Sequence, residues 1–89
     1  MTIKIRLFAT YREAAGASRL DLEVRSGATV AEALASLSQR FPRLTRLEQG
    51  MLAVNQEYVA ATYPLHDGDE LALIPPVSGG ANDAISLRQ

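Results

Sequence analysis

The chain has 89 residues, of which 47% are apolar, 9 are basic and 10 are acidic. This length suits one small domain, and the apolar share is that of a globular fold. The near balance of charge gives no electrostatic support for binding to nucleic acid or to a membrane surface. The absence of cysteine excludes disulfides, thiolate metal sites and cysteine nucleophiles.

The start of the chain predicts neither a signal peptide nor a membrane span. An alternating pattern follows Met1 at once, and no apolar run reaches the roughly 18 residues that a span needs. The lack of disulfides fits a reducing compartment. We therefore expect a cytoplasmic protein.

The N-terminal segment predicts a half-buried strand. Residues 2–9 alternate between apolar and polar side chains, and the inward-facing ones are Ile3, Ile5 and Leu7. Phe8 breaks the alternation, so we expect its ring to face outward at the strand end. A helical turn over residues 11–15, ended by Gly16, should follow.

The next segment predicts a second strand and the main helix. Residues 19–25 alternate and lie close enough in sequence to pair with the first strand as a hairpin. Thr29 is a typical N-cap, and Glu32, three residues later, completes a capping box. The apolar side chains that then recur at helical spacing are Val30, Ala33, Leu34, Leu37 and Phe41. Pro42 should end this helix near Arg40.

Three short strands complete the pattern. Residues 51–54 predict one strand and residues 57–60 its antiparallel return. The tight turn between them is Asn55-Gln56, because asparagine tolerates positive φ. After a loop with an Asp-Gly turn, residues 70–74 predict the last strand, and Pro75 ends its pairing because proline has no N–H to donate.

The predicted order is β-β-α-β-β-β, which indicates an α+β fold. One amphipathic helix of about three turns can cover one face of a mixed sheet of about five strands. This arrangement is typical of the ubiquitin-like β-grasp and puts the last strand in the centre, beside the first. We expect one domain over residues 1–80 and a loose tail over residues 81–89.

The end of the predicted domain is an extended arm, residues 75–80. Pro75-Pro76 favours an extended chain that leaves the sheet. Gly79-Gly80 lacks Cβ atoms, so its backbone can enter a narrow cleft. The simpler alternatives are that the prolines only end the strand and that the glycines form a flexible linker.

No metal site is predicted. His66 is the only histidine and lies in a loop without a second ligand at a suitable spacing. Asp67 and Asp69 are expected to serve the turn before the last strand, because Asp and Gly favour turns directly.

Three segments resemble the molybdopterin synthase small-subunit family, which consists of sulfur carriers of the ThiS/MoaD type. They are residues 7–16 (LFATYREAAG), residues 54–59 (VNQEYV) and residues 67–80 (DGDELALIPPVSGG). The motifs occur in the family's order and spacing, and the resemblance covers residues 1–80. A Gly-Gly pair by itself would be uninformative, because such pairs are common in linkers.

The resemblance implies that Gly80, preceded by Gly79, carries sulfur. In the family, an E1-like adenylating enzyme uses ATP to activate the glycine carboxylate, and a sulfur donor protein supplies sulfur to give a thiocarboxylate. The large subunit of the heterotetrameric synthase then transfers this sulfur to cyclic pyranopterin monophosphate. The small subunit binds no cofactor and is a sulfur-donating, non-catalytic part of the enzyme.

The resemblance also implies a surface that contacts the large subunit. The family carries apolar contact residues at the positions of Phe8, Tyr58 and Ile74, and Arg12 lies in the opening motif. The arm itself would add Pro75, Pro76, Val77 and Ser78 to this surface. The alternatives are that Tyr58 or Ile74 packs in the core and that Arg12 is simply solvated.

Residues 81–89 depart from the family, whose typical members end at the second glycine. An amide bond at Gly80 leaves no free carboxylate to adenylate. Three explanations are open: a precursor or large-subunit fusion from which a protease frees Gly80, residues foreign to the natural protein, or a chain that has lost the carrier role. The alternative functions are a related carrier for thiamine, cysteine or tRNA thiolation, and a ubiquitin-like binding module without sulfur chemistry.

Overall fold

The computed structural model describes residues 1–76, in which five strands and two helices follow one another. The elements are β1 (Thr2–Leu7), α1 (Ala9–Ala15), β2 (Arg19–Glu23), α2 (Val30–Arg40), a 3₁₀ turn (Leu47–Gln49), β3 (Met51–Val54), β4 (Glu57–Tyr58) and β5 (Glu70–Ile74). The α+β prediction is confirmed. The tail over residues 81–89 lies outside the described residues.

The strands form one mixed sheet in the order β2-β1-β5-β3-β4. β1 and β5 are parallel, and the other neighbouring pairs are antiparallel. The last strand is therefore central and lies beside the first, as the sequence predicts for a β-grasp. In the register of this pair, Ile5 lies beside Leu71 and Leu7 beside Leu73, so all four side chains enter the same face of the sheet.

Helix α2 covers that face and closes the core. It begins at the predicted capping box, in which the Thr29 hydroxyl accepts from the Glu32 N–H (3.4 Å) and the Glu32 carboxylate accepts from the Thr29 N–H (3.3 Å). It ends at Arg40, as Pro42 predicts. The helix residues buried against the strands are Val30, Ala33, Leu34 and Leu37. Within residues 1–76, neither helix combines the length and the hydropathy needed to cross a membrane.

The region between β1 and β2 differs from the prediction. β1 ends at Leu7 rather than continuing to residue 9, because a left-handed backbone at Ala9 (φ 50°) turns the chain out of the sheet. Phe8 is thus the N-cap of α1 rather than a strand residue, and its side chain is half-buried. The helical turn expected over residues 11–15 is a seven-residue helix, and Gly16 ends it in the predicted place with a φ of 76°.

The hairpin between β3 and β4 has the predicted turn but a shorter second strand. Asn55 and Gln56 both adopt positive φ (51° and 74°), which is the backbone that a two-residue hairpin turn needs. β4 contains only Glu57 and Tyr58, two residues fewer than predicted.

The end of β5 is held by a close approach of three other segments, and we call the residues involved the arm root: Tyr11, Arg46, Gly50 and Ile74. The Tyr11 side chain is buried, and its hydroxyl donates a hydrogen bond to the Arg46 carbonyl (2.8 Å). Burial raises the pKa of Tyr11, so the hydroxyl keeps its proton at neutral pH. A Cβ at Gly50 would overlap the Ile74 carbonyl oxygen and lie 3.0 Å from the Tyr11 hydroxyl. Glycine at this position therefore lets β5 end beside Tyr11.

We expect Gly50→Ala to lower the free energy of unfolding by about 1–3 kcal/mol, the usual cost of overpacking a filled site. The clash is with a backbone carbonyl, which cannot move aside without shifting the start of the arm. Urea denaturation followed by circular dichroism measures the effect. The exposed neighbour provides the control: Gln49→Ala should change stability by less than about 0.5 kcal/mol. A Gly50→Ala protein as stable as wild type would contradict the prediction.

The ion pair at the start of α2 makes stability depend on pH. The Arg25 Nε lies 2.6 Å from a Glu32 carboxylate oxygen. The hydrogen bond from Arg25, followed by the backbone hydrogen bond from Thr29, lowers the pKa of Glu32 below its ordinary value of 4.5. Because the folded pKa is the lower one, the charged form stabilises the fold fully above pH 4.5, and this contribution disappears as the pH falls through the lowered value.

We therefore expect Glu32→Gln to be less stable than wild type at neutral pH and to approach wild type as the solution is acidified. Urea denaturation at a series of pH values measures the difference in unfolding free energy. Glu48→Gln, at an exposed carboxylate outside α2, is the matched control. If the difference in unfolding free energy between Glu32→Gln and wild type stays constant down to about pH 2, this account is refuted.

Candidate functional site

The sheet face opposite α2 carries apolar side chains next to the start of the arm. Tyr58 lies opposite Ala53, and Ala53 lies opposite Ala72. Two residues further along the same strands, Met51 lies opposite Ile74. Directly opposed residues present their side chains to the same face, so these five share the face that α2 leaves open.

Phe8 adds to this surface from the β1 side. Its ring lies 5.1 Å from the Arg6 guanidinium, at cation–π distance. Arg6 pairs in register with Ala72 and therefore belongs to the open face. The fold thus brings Phe8, Tyr58 and Ile74, which are widely separated in the sequence, to one side of the sheet.

We call Phe8, Met51, Tyr58, Ala72 and Ile74 the apolar patch. Tyr58 is 70% exposed and Met51 48%, while the other three are partly buried. None of the five belongs to the buried core cluster, which argues against the alternative that Tyr58 or Ile74 is a core residue. Its exposed apolar side chains next to the start of the arm make this patch a candidate interaction site.

The other half of the open face, on β1 and β2, is charged. Lys4 lies opposite Asp21, and Arg6 opposite Arg19. An Arg6 nitrogen also lies 3.9 Å from a Glu70 carboxylate oxygen. The open face therefore has an apolar part at the end of β5 and a polar part toward the β2 edge, which resembles the core and rim of protein interfaces.

The remaining predicted site residues lie around the arm or beyond it. Arg12 is exposed on α1 and makes no ion pair within residues 1–76. Pro75 is partly buried and Pro76 exposed, and both lie beside α1 and the segment 43–46. The other four predicted residues, Val77, Ser78, Gly79 and Gly80, lie outside the described residues.

The carboxylates before β5 hold a turn, as the sequence predicts. An Asp67 oxygen accepts from the Thr2 N–H (2.8 Å), and an Asp69 oxygen accepts from the His66 N–H (2.8 Å). Across residues 1–76 there is no cluster of three or more His, Asp or Glu side chains that could hold a metal ion.

Sequence reasoning missed two residues of this site, Met51 and Gly50. Residues 51–54 are apolar at every position, so alternation alone cannot tell which of their side chains face outward. Gly50 has no local signal, because its importance arises from the approach of Ile74 and Tyr11, which are distant in the sequence.

A comparison with known families matches residues 5–80 to the model described as the ThiS family. An Escherichia coli (strain K12) relative, named molybdopterin synthase sulfur carrier subunit, is 43% identical over 84 residues, which cover 88% of this chain and 99% of that protein.

Solved structures share the same fold. SAMP1 from Haloferax volcanii superposes with a TM-score of 0.81 at 35% identity, covering 90% of this chain and 100% of that chain. A chain in a complex of subunits 1 and 2 of the molybdopterin-converting factor from Helicobacter pylori gives a TM-score of 0.61 at 26% identity, with 90% and 100% covered. Both the strand order of the sheet and the superposition on these solved structures thus show the ubiquitin-like β-grasp. On the family match and the near-complete coverage of its relative, this chain belongs to the ThiS family, whose members include molybdopterin synthase sulfur carrier subunits.

Proposed function

We propose that this chain is the sulfur carrier subunit of molybdopterin synthase. The observation that carries the proposal is that the apolar patch runs directly into the arm. Ile74 is both a patch residue and the last residue of the central strand β5, and the arm begins at Pro75. A partner that docks on the patch would therefore receive the arm from a fixed starting point. The relatives named as sulfur carriers support the same function.

The proposed chemistry takes place at the carboxylate of Gly80. A carboxylate is a poor electrophile, so one of its oxygens first attacks the α-phosphorus of ATP and displaces pyrophosphate on an E1-like adenylating enzyme. Hydrosulfide (HS⁻) released by a donor protein then attacks the acyl carbon, AMP leaves with the oxygen, and the sulfur loses its proton to give the thiocarboxylate. The resulting thiocarboxylate sulfur is the nucleophile that is delivered to cyclic pyranopterin monophosphate.

The proposed main partner is the large subunit of the synthase. The similarity to a chain from a complex of subunits 1 and 2 of the molybdopterin-converting factor supports this assignment. The large subunit would cover the apolar patch and accept the arm in its active site. It would also supply the catalytic side chains, so the chain described here acts as the sulfur donor.

Residues 81–89 must be removed before this chemistry can occur, because the peptide bond after Gly80 occupies the carboxyl group. The family match ends at residue 80, in agreement with a functional boundary there. We propose that the chain is a precursor or fusion from which a protease releases Gly80.

A second candidate is a carrier of the same family that serves another acceptor. The similarity in fold to SAMP1, a small archaeal modifier protein, supports this second candidate. Co-purification separates the two candidates. A pterin-synthase large subunit bound to the chain supports the first, and a thiazole synthase or cysteine synthase supports the second.

The carrier function predicts a defined change in mass. A chain ending at Gly80, incubated with the activating enzyme, ATP and the sulfur donor, should gain the mass difference between one sulfur and one oxygen in intact-mass spectrometry. The chain ending at Gln89 is the control and should show no change, because it has no free carboxylate at Gly80. Synthase activity supported by the chain with the Gly80–Ala81 bond intact would disprove the proposal.

The apolar patch predicts a selective loss of partner binding. Tyr58→Ser should weaken binding to the large subunit about tenfold or more, because exposed tyrosines at interface centres are frequent hot spots. Its effect on stability should be small, since Tyr58 is 70% exposed. Tyr63→Ser, in a loop whose backbone contacts the start of α2, is the matched control. Isothermal titration calorimetry measures the affinity of each variant for the large subunit. An equal loss of affinity in Tyr58→Ser and Tyr63→Ser would argue against docking on the patch.

A further inference from the structure

A groove of about 390 Å³ lies beside the start of the arm, and we call it the arm-side groove. Its walls come from α1, from the segment between α2 and the 3₁₀ turn, and from the first two residues of the arm. The lining residues that matter here are Tyr11, Arg43, Thr45, Arg46, Pro75 and Pro76. The groove and the apolar patch meet at residues 74–76, although they are lined by different side chains.

The arm-side groove carries uncompensated positive charge. Arg43 and Arg46 are exposed, and no acidic residue among residues 1–76 lines the groove. In the described part of the chain, neither guanidinium has a carboxylate within ion-pair distance. Of the other arginines in residues 1–76, Arg6 and Arg25 lie within ion-pair distance of a carboxylate. Both cations line one groove, on a chain whose formal net charge is −1.

The backbone at Arg46 is strained. Arg46 adopts a left-handed conformation (φ 59°, ψ 34°), which glycine or asparagine would adopt more easily. The hydrogen bond from the Tyr11 hydroxyl to the Arg46 carbonyl holds this conformation in place. An arginine kept in a strained position at the edge of a groove suggests that its side chain serves a function there.

We propose that the arm-side groove binds an acidic polypeptide segment of a partner protein that takes the arm. Guanidinium groups bind carboxylates through paired hydrogen bonds, so Asp or Glu side chains of the partner would pair with Arg43 and Arg46. A segment seated in the groove would contact Pro75 and Pro76, and so fix the direction in which the arm leaves β5. This inference rests on the proposed carrier function, because it needs a partner that engages the arm.

Association kinetics with the purified large subunit and with the purified activating enzyme test this proposal. For at least one of these two proteins, the double variant Arg43→Gln/Arg46→Gln should associate about tenfold more slowly at low salt and show a weaker salt dependence. Arg43→Lys/Arg46→Lys keeps the charge and should restore the association rate, with faster dissociation because the paired hydrogen bonds are lost. Arg40→Gln, which removes an exposed arginine charge outside the groove, is the control and should associate at the wild-type rate.

A single variant separates binding from folding. Arg46→Gly relieves the left-handed strain, so it should be at least as stable as wild type in urea denaturation, yet it should associate more slowly. Wild-type association of Arg46→Gly and of Arg43→Gln/Arg46→Gln with both proteins would overturn the groove proposal and leave the carrier function standing. An equal loss in the control variant would also overturn it. Failure of the unsubstituted chain ending at Gly80 to bind either protein would instead contradict the carrier function itself.

Discussion

The parallel pairing of β1 with β5 is the contact on which the rest of the structure depends. Its register places Ile5 beside Leu71 and so decides which side chains of β5 meet α2. Because side chains alternate along a strand, a slip of one residue would turn the core residues of β5 toward solvent. The same slip would move Ile74 from the open face into the core. One register therefore both closes the core and builds the apolar patch.

A segment that delivers a reacting group must start from a well-positioned base, because orienting the reacting groups supplies much of the rate enhancement. The chain meets this requirement at the end of β5. Gly50 lets the Ile74 carbonyl approach closely, and the buried Tyr11 ties α1 to the segment that carries Arg46. The apolar patch and the first residues of the arm thus start from the same well-packed segment, and both the proposed carrier function and the arm-side groove rely on it.

The sequence predicts the elements well where local chemistry decides them. The capping box of Thr29 and Glu32 marks the start of α2, and alternation marks β1 and β5, because these signals depend on neighbouring residues alone. The sequence-based prediction fails where contacts between residues distant in the sequence determine the backbone conformation. The residues around Ala9 do not predict the positive φ that ends β1 early. Because β3 is apolar at every position, its sequence also does not predict that Met51 faces outward. The need for glycine at position 50 appears only when β5 is in place.

The edges of the sheet have a consequence for the protein before it meets any partner. In the sheet formed by residues 1–76, β4 has only two residues, and the exposed edge strand β2 carries Arg19, Asp21 and Glu23. Short or charged edges resist strand addition by another molecule. Strand addition is therefore disfavoured at both edges, although Tyr58 and Met51 of the apolar patch are exposed to water. A partner can therefore bind the side chains of the apolar patch, whereas another strand cannot readily pair with the backbone at the sheet edges.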